Sequence, residues 1–268
     1  MADSLPLLTR SQGAHIRELL LDRRVRAQEG AFVVEGAHAV RDLLARSPDQ
    51  ILTIVTASSY LLKEVQCDRL IREAVSMRQY SCSDVQFSKL SDVDEPQGIL
   101  AVVRQPIWDE EEILQQPSIL GIFGEQLQDP ANVGAIIRTA AGLNVSALWL
   151  TPESADVYQP KVVRATSGVL HMLPIFFTRD VSGLIREGCR IFTAEVPGEG
   201  TVPIDEIRQA PRKLIFAVGN ESRGLSAQIR TQATTRFTIP LSRDVESLNV
   251  AATVAIATFH FSRLPQSQ

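Results

Sequence analysis

The stretch Gln128–Leu143 reads QDPANVGAIIRTAAGL. Asp129-Pro130 marks a turn, Asn132 suits the N-cap of a helix, and Gly142 stands close to that helix's C-terminus. At 3.6 residues per turn Val133, Ile136, Ile137, Ala140 and Leu143 share one face, the expected core face. The opposite face carries Gly134, Ala135, Arg138, Ala141 and Gly142. A solvated face would hold Lys, Glu or Gln. Small residues around a single arginine imply instead that something lies there: another chain, a cofactor or a nucleic acid.

Around this helix, strand-like and helical runs alternate from Ser118 onward. The runs Ile119–Gly124, Val145–Leu150, Arg190–Glu195, Lys213–Gly219 and Arg236–Ile239 are nearly continuous apolar stretches, as strands of a parallel sheet covered on both faces should be. Helical segments are expected between them at Val133–Gly142, Gln159–Val169, Val181–Glu187 and Leu225–Thr231. An α/β domain over residues 118–268 follows. Its last helix, Asn249–Ser262 (NVAATVAIATFHFS), carries no formal charge, so it should be buried all round, either in the core or at a subunit interface.

Upstream, residues 106–117 (PIWDEEEILQQP) are polar, proline-bracketed and acidic, and read as a linker. Residues 1–105 form a smaller α/β unit. A helix is expected over 11–28, then the strand Ala31–Glu35, a helix from Gly36 to Arg46, the strand Ile51–Thr56, a helix over Tyr60–Met77 and the strand Gln97–Val103. Arg23, Arg24 and Arg26 crowd one part of the first helix. Such a cluster is either a solvated face or a phosphate contact, and both readings stay open.

The net charge of −4 makes no case for nucleic acid by itself. Three cysteines, Cys67, Cys82 and Cys189, lack metal-ligand spacing and are too few for a disulfide framework. With no apolar run of membrane length and no secretory start in MADSLPLLTRSQ, a cytoplasmic protein with no membrane partner is expected. There is no G-x-G-x-x-G after the first strand of either domain, no P-loop, no H-E-x-x-H and no G-x-S-x-G elbow. The four histidines are scattered, and His171 and His260 read as core residues, so no metal site is expected.

Three turn-rich segments remain, each at the carboxyl end of a strand, where open α/β sheets bind ligands. The first is the opening stretch. The second, Val218–Ser226 (VGNESRGLS), sets two glycines around Glu221. The third, Ile239–Val250 (IPLSRDVESLNV), ends a strand at Pro240 and starts a helix with Ser247 or Asn249 as its cap. Each alone could be an ordinary turn; together they point to one site.

In order and spacing these segments resemble the three motifs of the SpoU-TrmH family, the ribose 2′-O-methyltransferases of the SPOUT superfamily. Asn132-Val133-Gly134 with Arg138-Thr139-Ala140 matches the first motif, Gly219-Asn220-Glu221 with Gly224-Leu225 the second, and Ile239-Pro240 with Ser247-Leu248-Asn249-Val250 the third. Lys161–Gly168 (KVVRATSG) is similar to a further family segment. Phe32–Gly36 (FVVEG) and Pro96–Ile99 (PQGI) resemble the family's RNA-binding domain, a fold shared with certain large-subunit ribosomal proteins. Ser242-Arg243-Asp244 departs from the pattern, lacking the glycine many relatives have there.

The resemblance implies a C-terminal SPOUT domain with a parallel sheet and a trefoil knot, joined to a small N-terminal α/β RNA-binding domain of ribosomal-protein-like fold. It implies S-adenosylmethionine as methyl donor, held near Gly219, Ile239, Leu241 and Leu248. It assigns catalysis to Arg138, with Asn132, Glu221, Ser247 and Asn249 as the other polar residues of the site. Arg23, Arg24, Arg26 and Arg164 are the candidate RNA contacts. A homodimer is implied, with the last helix and the first-motif helix near its interface. The ribosomal-protein-like domain favours ribosomal RNA over transfer RNA as substrate. The alternatives are a tRNA ribose methyltransferase and a non-catalytic RNA-binding or ribosome-assembly protein.

Overall fold

The computed structural model describes residues 5–64, 78–243 and 245–267, which fall into two compact units. The first comprises the chain up to Pro106 together with Asp156–His171, and the second comprises Ile107–Ala155 with Met172–Gln268.

The first unit is built on four strands, β1 (Ala31–Glu35), β2 (Ile51–Ala57), β3 (Arg78–Cys82) and β4 (Ile99–Arg104), in the order β1-β4-β2-β3. The central β4 runs antiparallel to β1 and β2, while β3 runs parallel to β2. Ile99–Val103 are buried because helices and neighbouring strands enclose them. The helix expected over 11–28 is two helices, Arg10–Leu21 and Arg23–Glu29. Asp22 divides them: its backbone closes the first, and its carboxylate accepts from Arg24 N to start the second. The helix expected from Tyr60 runs over Ser58–Glu64, and the remainder of that expectation, 65–77, lies outside the described residues, as does Cys67. Sequence reading missed β3 (RQYSC) and the helix Asp84–Leu90, since a mostly polar edge strand lacks the apolar run that marks a central one.

One expectation is overturned here. Arg26 is buried at 4% exposure, and its guanidinium faces inward. Nε and Nη2 donate to Asp156 Oδ2 at 3.0 and 2.6 Å, and Nη1 donates to the carbonyls of Leu19 and Leu20. It anchors Asp156–His171 within this unit and has no edge to offer a phosphate. Removing either charge would strand the other, at a cost of about 3–5 kcal/mol.

The second unit is a seven-stranded sheet, and every pairing in it is parallel. Its strands are β5 (Ile119–Gly124), β6 (Ala147–Leu150), β7 (Ile175–Phe177), β8 (Arg190–Ala194), β9 (Thr201–Pro203), β11 (Lys213–Val218) and β12 (Thr235–Thr238), in the order β7-β6-β5-β11-β8-β12-β9. A separate short parallel ladder pairs β10 (Ala210–Pro211) with β13 (Gln266–Ser267). The strand order reverses between β5 and β11, so their carboxyl ends flank the crevice where such sheets bind ligands. The stretch read as a linker holds a helix, Glu110–Leu114, capped by Asp109. Glu110 Oε1 accepts from the indole Nε1 of buried Trp149 at 2.6 Å, which ties this helix to β6.

The opening helix spans Pro130–Gly142, and its cap is Asp129, not Asn132. Pro130 at the first position fixes φ and needs no N–H partner, so the helix starts earlier than expected. Val133, Ile136, Ile137 and Ala140 are buried as the periodicity required, whereas Leu143 is only partly so. The last helix, Val250–Phe261 with Asn249 as cap, packs against this one. Gly134 is buried, while Arg138 and Gly142 are exposed. The last helix is not buried all round. Val254, Ala257, Thr258 and Phe261 face inward, Phe261 against the rings of Phe192, Phe216 and Phe237, but Ile256 and Phe259 are 41% and 51% exposed. Among the described residues no helix is long and apolar enough to cross a membrane, and no group of His, Cys, Asp or Glu could hold a metal ion.

Candidate active site

The carboxyl ends of β8, β11 and β12 open into a cavity of about 550 Å³ in the second unit. Three loops line it, the two that follow β11 and β12 being the second and third motif segments.

The loop after β11 is a tightly clamped turn. Asn220 Oδ1 accepts from Ser222 N and Arg223 N, its Nδ2 donates to Gln126 O at 2.9 Å, and Gly224 N returns to Asn220 O. Gly224 sits at φ +67°, the left-handed region that glycine enters without penalty. Gly219 is required for a different reason. A Cβ there would lie 2.2 Å from the carbonyl carbon of Gly224 and 2.3 Å from Leu225 N, so any side chain would force the turn open.

The three motif segments are joined by one line of hydrogen bonds. Asn249 Oδ1 accepts from Ala251 N and Ala252 N at the start of the last helix, which leaves its Nδ2 as donor. That Nδ2 donates to Asn132 Oδ1 at 2.8 Å, and Asn132 Nδ2 donates to Glu221 Oε1 at 3.0 Å. A carboxylate only accepts, so both ends of the line fix the amide orientation of Asn132. Asn132 is 7% exposed, and its side chain is satisfied on both sides. The structure thus moves Asn132 from the helix cap to the hinge of the site.

Of the residues expected from the sequence, Gly219, Glu221, Ile239, Leu241, Ser247, Leu248 and Asn249 all line the cavity. Arg138 does not: it is exposed on the Pro130–Gly142 helix, away from the cavity wall. The candidate RNA contacts lie in the first unit and are unlike one another. Arg23 is exposed, Arg24 is exposed but leans on Asp22, Arg26 is buried as described, and Arg164 Nη1 is held by Asp92 Oδ1 at 2.6 Å. His171 is buried with its pKa pushed down by that burial, and His260 Nε2 meets Ile207 O at 3.1 Å; neither lines the cavity. In the loop that lacks the family's glycine, Arg243 takes φ +61°, a left-handed conformation that costs a non-glycine residue about 1–2 kcal/mol. Asp244 lies outside the described residues.

Sequence reading missed one wall of the cavity. Glu195 follows β8 and its side chain is 2% exposed, held by Arg230 and Arg236. Burial alone would push this carboxyl up, but hydrogen bonds from Arg236, Arg230 and Thr193 outweigh it and hold the pKa down at about 2. The position at a strand's carboxyl end was the available signal. The two arginines follow in sequence 35 and 41 residues later, which hid the cluster.

A model of the SpoU rRNA Methylase family matches residues 120–259, and one of the MRM3-like substrate binding domain matches residues 15–101. A protein of Synechocystis described as an uncharacterized tRNA/rRNA methyltransferase is 30% identical, over 98% of this chain and 96% of its own length. The 23S rRNA (guanosine(2553)-2′-O)-methyltransferase RlmP of Bacillus subtilis is 28% identical, over 89% of this chain and 91% of its own. Among solved structures, the AdoMet-bound rRNA methyltransferase from Sinorhizobium meliloti shares the fold, with a TM-score of 0.82 at 24% identity, covering 97% of this chain and 96% of the other.

Proposed function

The chain belongs to the SpoU rRNA methylase family, and we propose that it transfers a methyl group from S-adenosylmethionine to a ribose 2′-oxygen of structured RNA, ribosomal RNA being the substrate. The observation that carries this reading is the line Asn249–Asn132–Glu221, which joins all three motif segments beside a cavity of donor size.

The cavity fits that donor. Phe237, Ile239, Leu241 and Leu248 offer an apolar slot for a flat ring, and Gly219 lines the same cavity with backbone alone. When bound, S-adenosylmethionine supplies a methyl group already activated on a sulfonium. The work left to the chain is alignment of the ribose oxygen and stabilisation of the charge that forms as its proton leaves. A guanidinium donates and does not accept, so Arg138 stabilises the developing alkoxide and the neighbouring phosphate; it is not a base. Asn132 and Glu221 hold the second-motif turn against the first-motif helix. Asn249 fixes the start of the last helix, and Ser247 presents a hydroxyl at the cavity rim.

Arg138 stands outside the cavity of its own chain, and a homodimer accounts for that. The last helix packs on the helix that carries Arg138 and exposes the uncharged pair Ile256 and Phe259. A second copy covering this stripe lets Arg138 from one subunit meet RNA held partly by the other. The trefoil knot belongs to the same reading, supported by two loops closing on one cavity while the last helix returns to the first-motif helix. A cytoplasmic location is in keeping with the free, buried thiols of Cys82 and Cys189.

The test is Arg138→Lys. Turnover is expected to fall about 100-fold with donor affinity unchanged. Near-full turnover would remove Arg138 from the chemistry.

A further inference from the structure

The wall formed by Glu195, Arg230 and Arg236 belongs to none of the three motifs, yet Glu195 and Arg230 line the same cavity as Gly219 and Ile239. Its hydrogen bonds show which of the three has capacity left for a ligand. Glu195 Oε1 accepts from Thr193 Oγ1 at 2.8 Å and Arg236 Nε at 3.1 Å. Its Oε2 accepts from Arg230 Nε at 3.1 Å, Arg230 Nη2 at 2.7 Å and Arg236 Nη2 at 2.8 Å. The carboxylate is therefore filled by protein donors. Arg236 is also committed, since its Nη1 donates to Glu199 O at 3.3 Å. Arg230 is not: among the described residues its Nη1 has no partner. Two guanidinium groups around one carboxylate leave the wall with a net positive charge.

A guanidinium fixed along one edge presents its other edge at little entropic cost, and its planar geometry suits a carboxylate. We propose that the free edge of Arg230 receives the carboxylate of the methyl donor's amino-acid moiety, with Glu195 and Arg236 as positioning residues that hold Arg230 at the wall. The inference rests on the reading of this cavity as the donor site. The amino-acid carboxylate is the one anionic group of the donor, and Arg230 is the residue at the cavity that combines a cation, a fixed orientation and unused donors. A backbone phosphate of RNA offers similar chemistry, but the cavity is sized for a small molecule, so the donor is the better fit.

The experiment is a titration calorimetry cycle on the full chain and on Arg230→Gln, each with S-adenosylmethionine and with its decarboxylated analogue. The unaltered chain should prefer the carboxylate-bearing donor by about 10–100-fold, the range of charge-assisted hydrogen bonds. Arg230→Gln should lose that preference and bind both at the affinity of the analogue. Arg230→Lys, which keeps the charge without the fork, should retain part of it. Equal weakening of both ligands by Arg230→Gln would overturn the proposal in favour of a purely structural wall. An undiminished preference would also overturn it, and so would weakened RNA binding with donor binding intact, which would assign the guanidinium to a phosphate. If the unaltered chain bound neither ligand, the donor-site reading itself would fall, an outcome distinct from loss of the preference alone.

Discussion

Changing Asn132 to aspartate replaces one NH2 by an oxygen and tests the site's central hydrogen bonds without changing its shape. The new carboxylate would still accept from Asn249 Nδ2, but it would face Glu221 Oε1 at the 3.0 Å now bridged by a donated N–H. Two unit charges at about 3 Å repel by about 5 kcal/mol at an effective dielectric near 20. That is enough to make the pair retain a proton, which then restores the missing donor. Retaining it costs about 1.4 kcal/mol for each pH unit above the ordinary carboxylate range. The sign follows. A carboxyl whose pKa is raised on folding is harmless at low pH and destabilises progressively as pH rises. Urea denaturation should therefore find Asn132→Asp about 1–2 kcal/mol less stable than the unaltered chain at pH 5.5. The deficit should grow by about 3–3.5 kcal/mol at pH 8, with donor affinity falling over the same interval. A deficit equal at both pH values would mean that Asn132 does not bridge to Glu221.

Three further outcomes follow from the same structure. Gly219→Ala should abolish donor binding measured by calorimetry while the chain stays folded by circular dichroism, since its Cβ cannot fit 2.2 Å from Gly224 without opening the turn. Glu195, held down at about 2 against an ordinary 4.5, contributes stability that is present above pH 4.5 and lost as pH falls toward 2. With allowance for solvent at the half-exposed arginines this amounts to about 2 kcal/mol. Glu195→Gln should lose that amount at pH 7 and show a flatter acid limb in thermal melts. Ile256→Asp should convert a dimer to monomers in sedimentation, and an unchanged mass would count against the last helix as the interface.

The parallel sheet was legible because β5, β8 and β11 are apolar runs that tolerate few other structures; the expected Ile119–Gly124 matches β5 residue for residue. Boundaries set by single residues were less legible. Asp129 and Asn132 are both good caps, and only Pro130 between them favours the earlier start. The site was readable where its residues sit in motif order, as Gly219, Glu221 and Asn249 do. It was not readable where distance in the chain hides contact. Glu195 and Arg236 are one example, and Arg26 with Asp156 is another: a clustered arginine suits a solvated face or a phosphate contact, and only a partner 130 residues away turns it inward. The small residues around Arg138 raise the expectation of another chain, a cofactor or a nucleic acid on that face; the last helix of the same chain packs on this helix, while Arg138 and Gly142 stay exposed.

Methyl transfer to a ribose 2′-oxygen of ribosomal RNA leaves a chemical signature that base methylation does not. The most direct measurement incubates the protein with S-adenosylmethionine carrying a labelled methyl group and unmodified ribosomal RNA, then hydrolyses the RNA in alkali. Alkaline cleavage needs a free 2′-hydroxyl, so a 2′-O-methyl group protects the adjacent linkage. Label is expected in an alkali-resistant dinucleotide. Label released in a mononucleotide, which places the methyl group on a base, or no label in the RNA would contradict it.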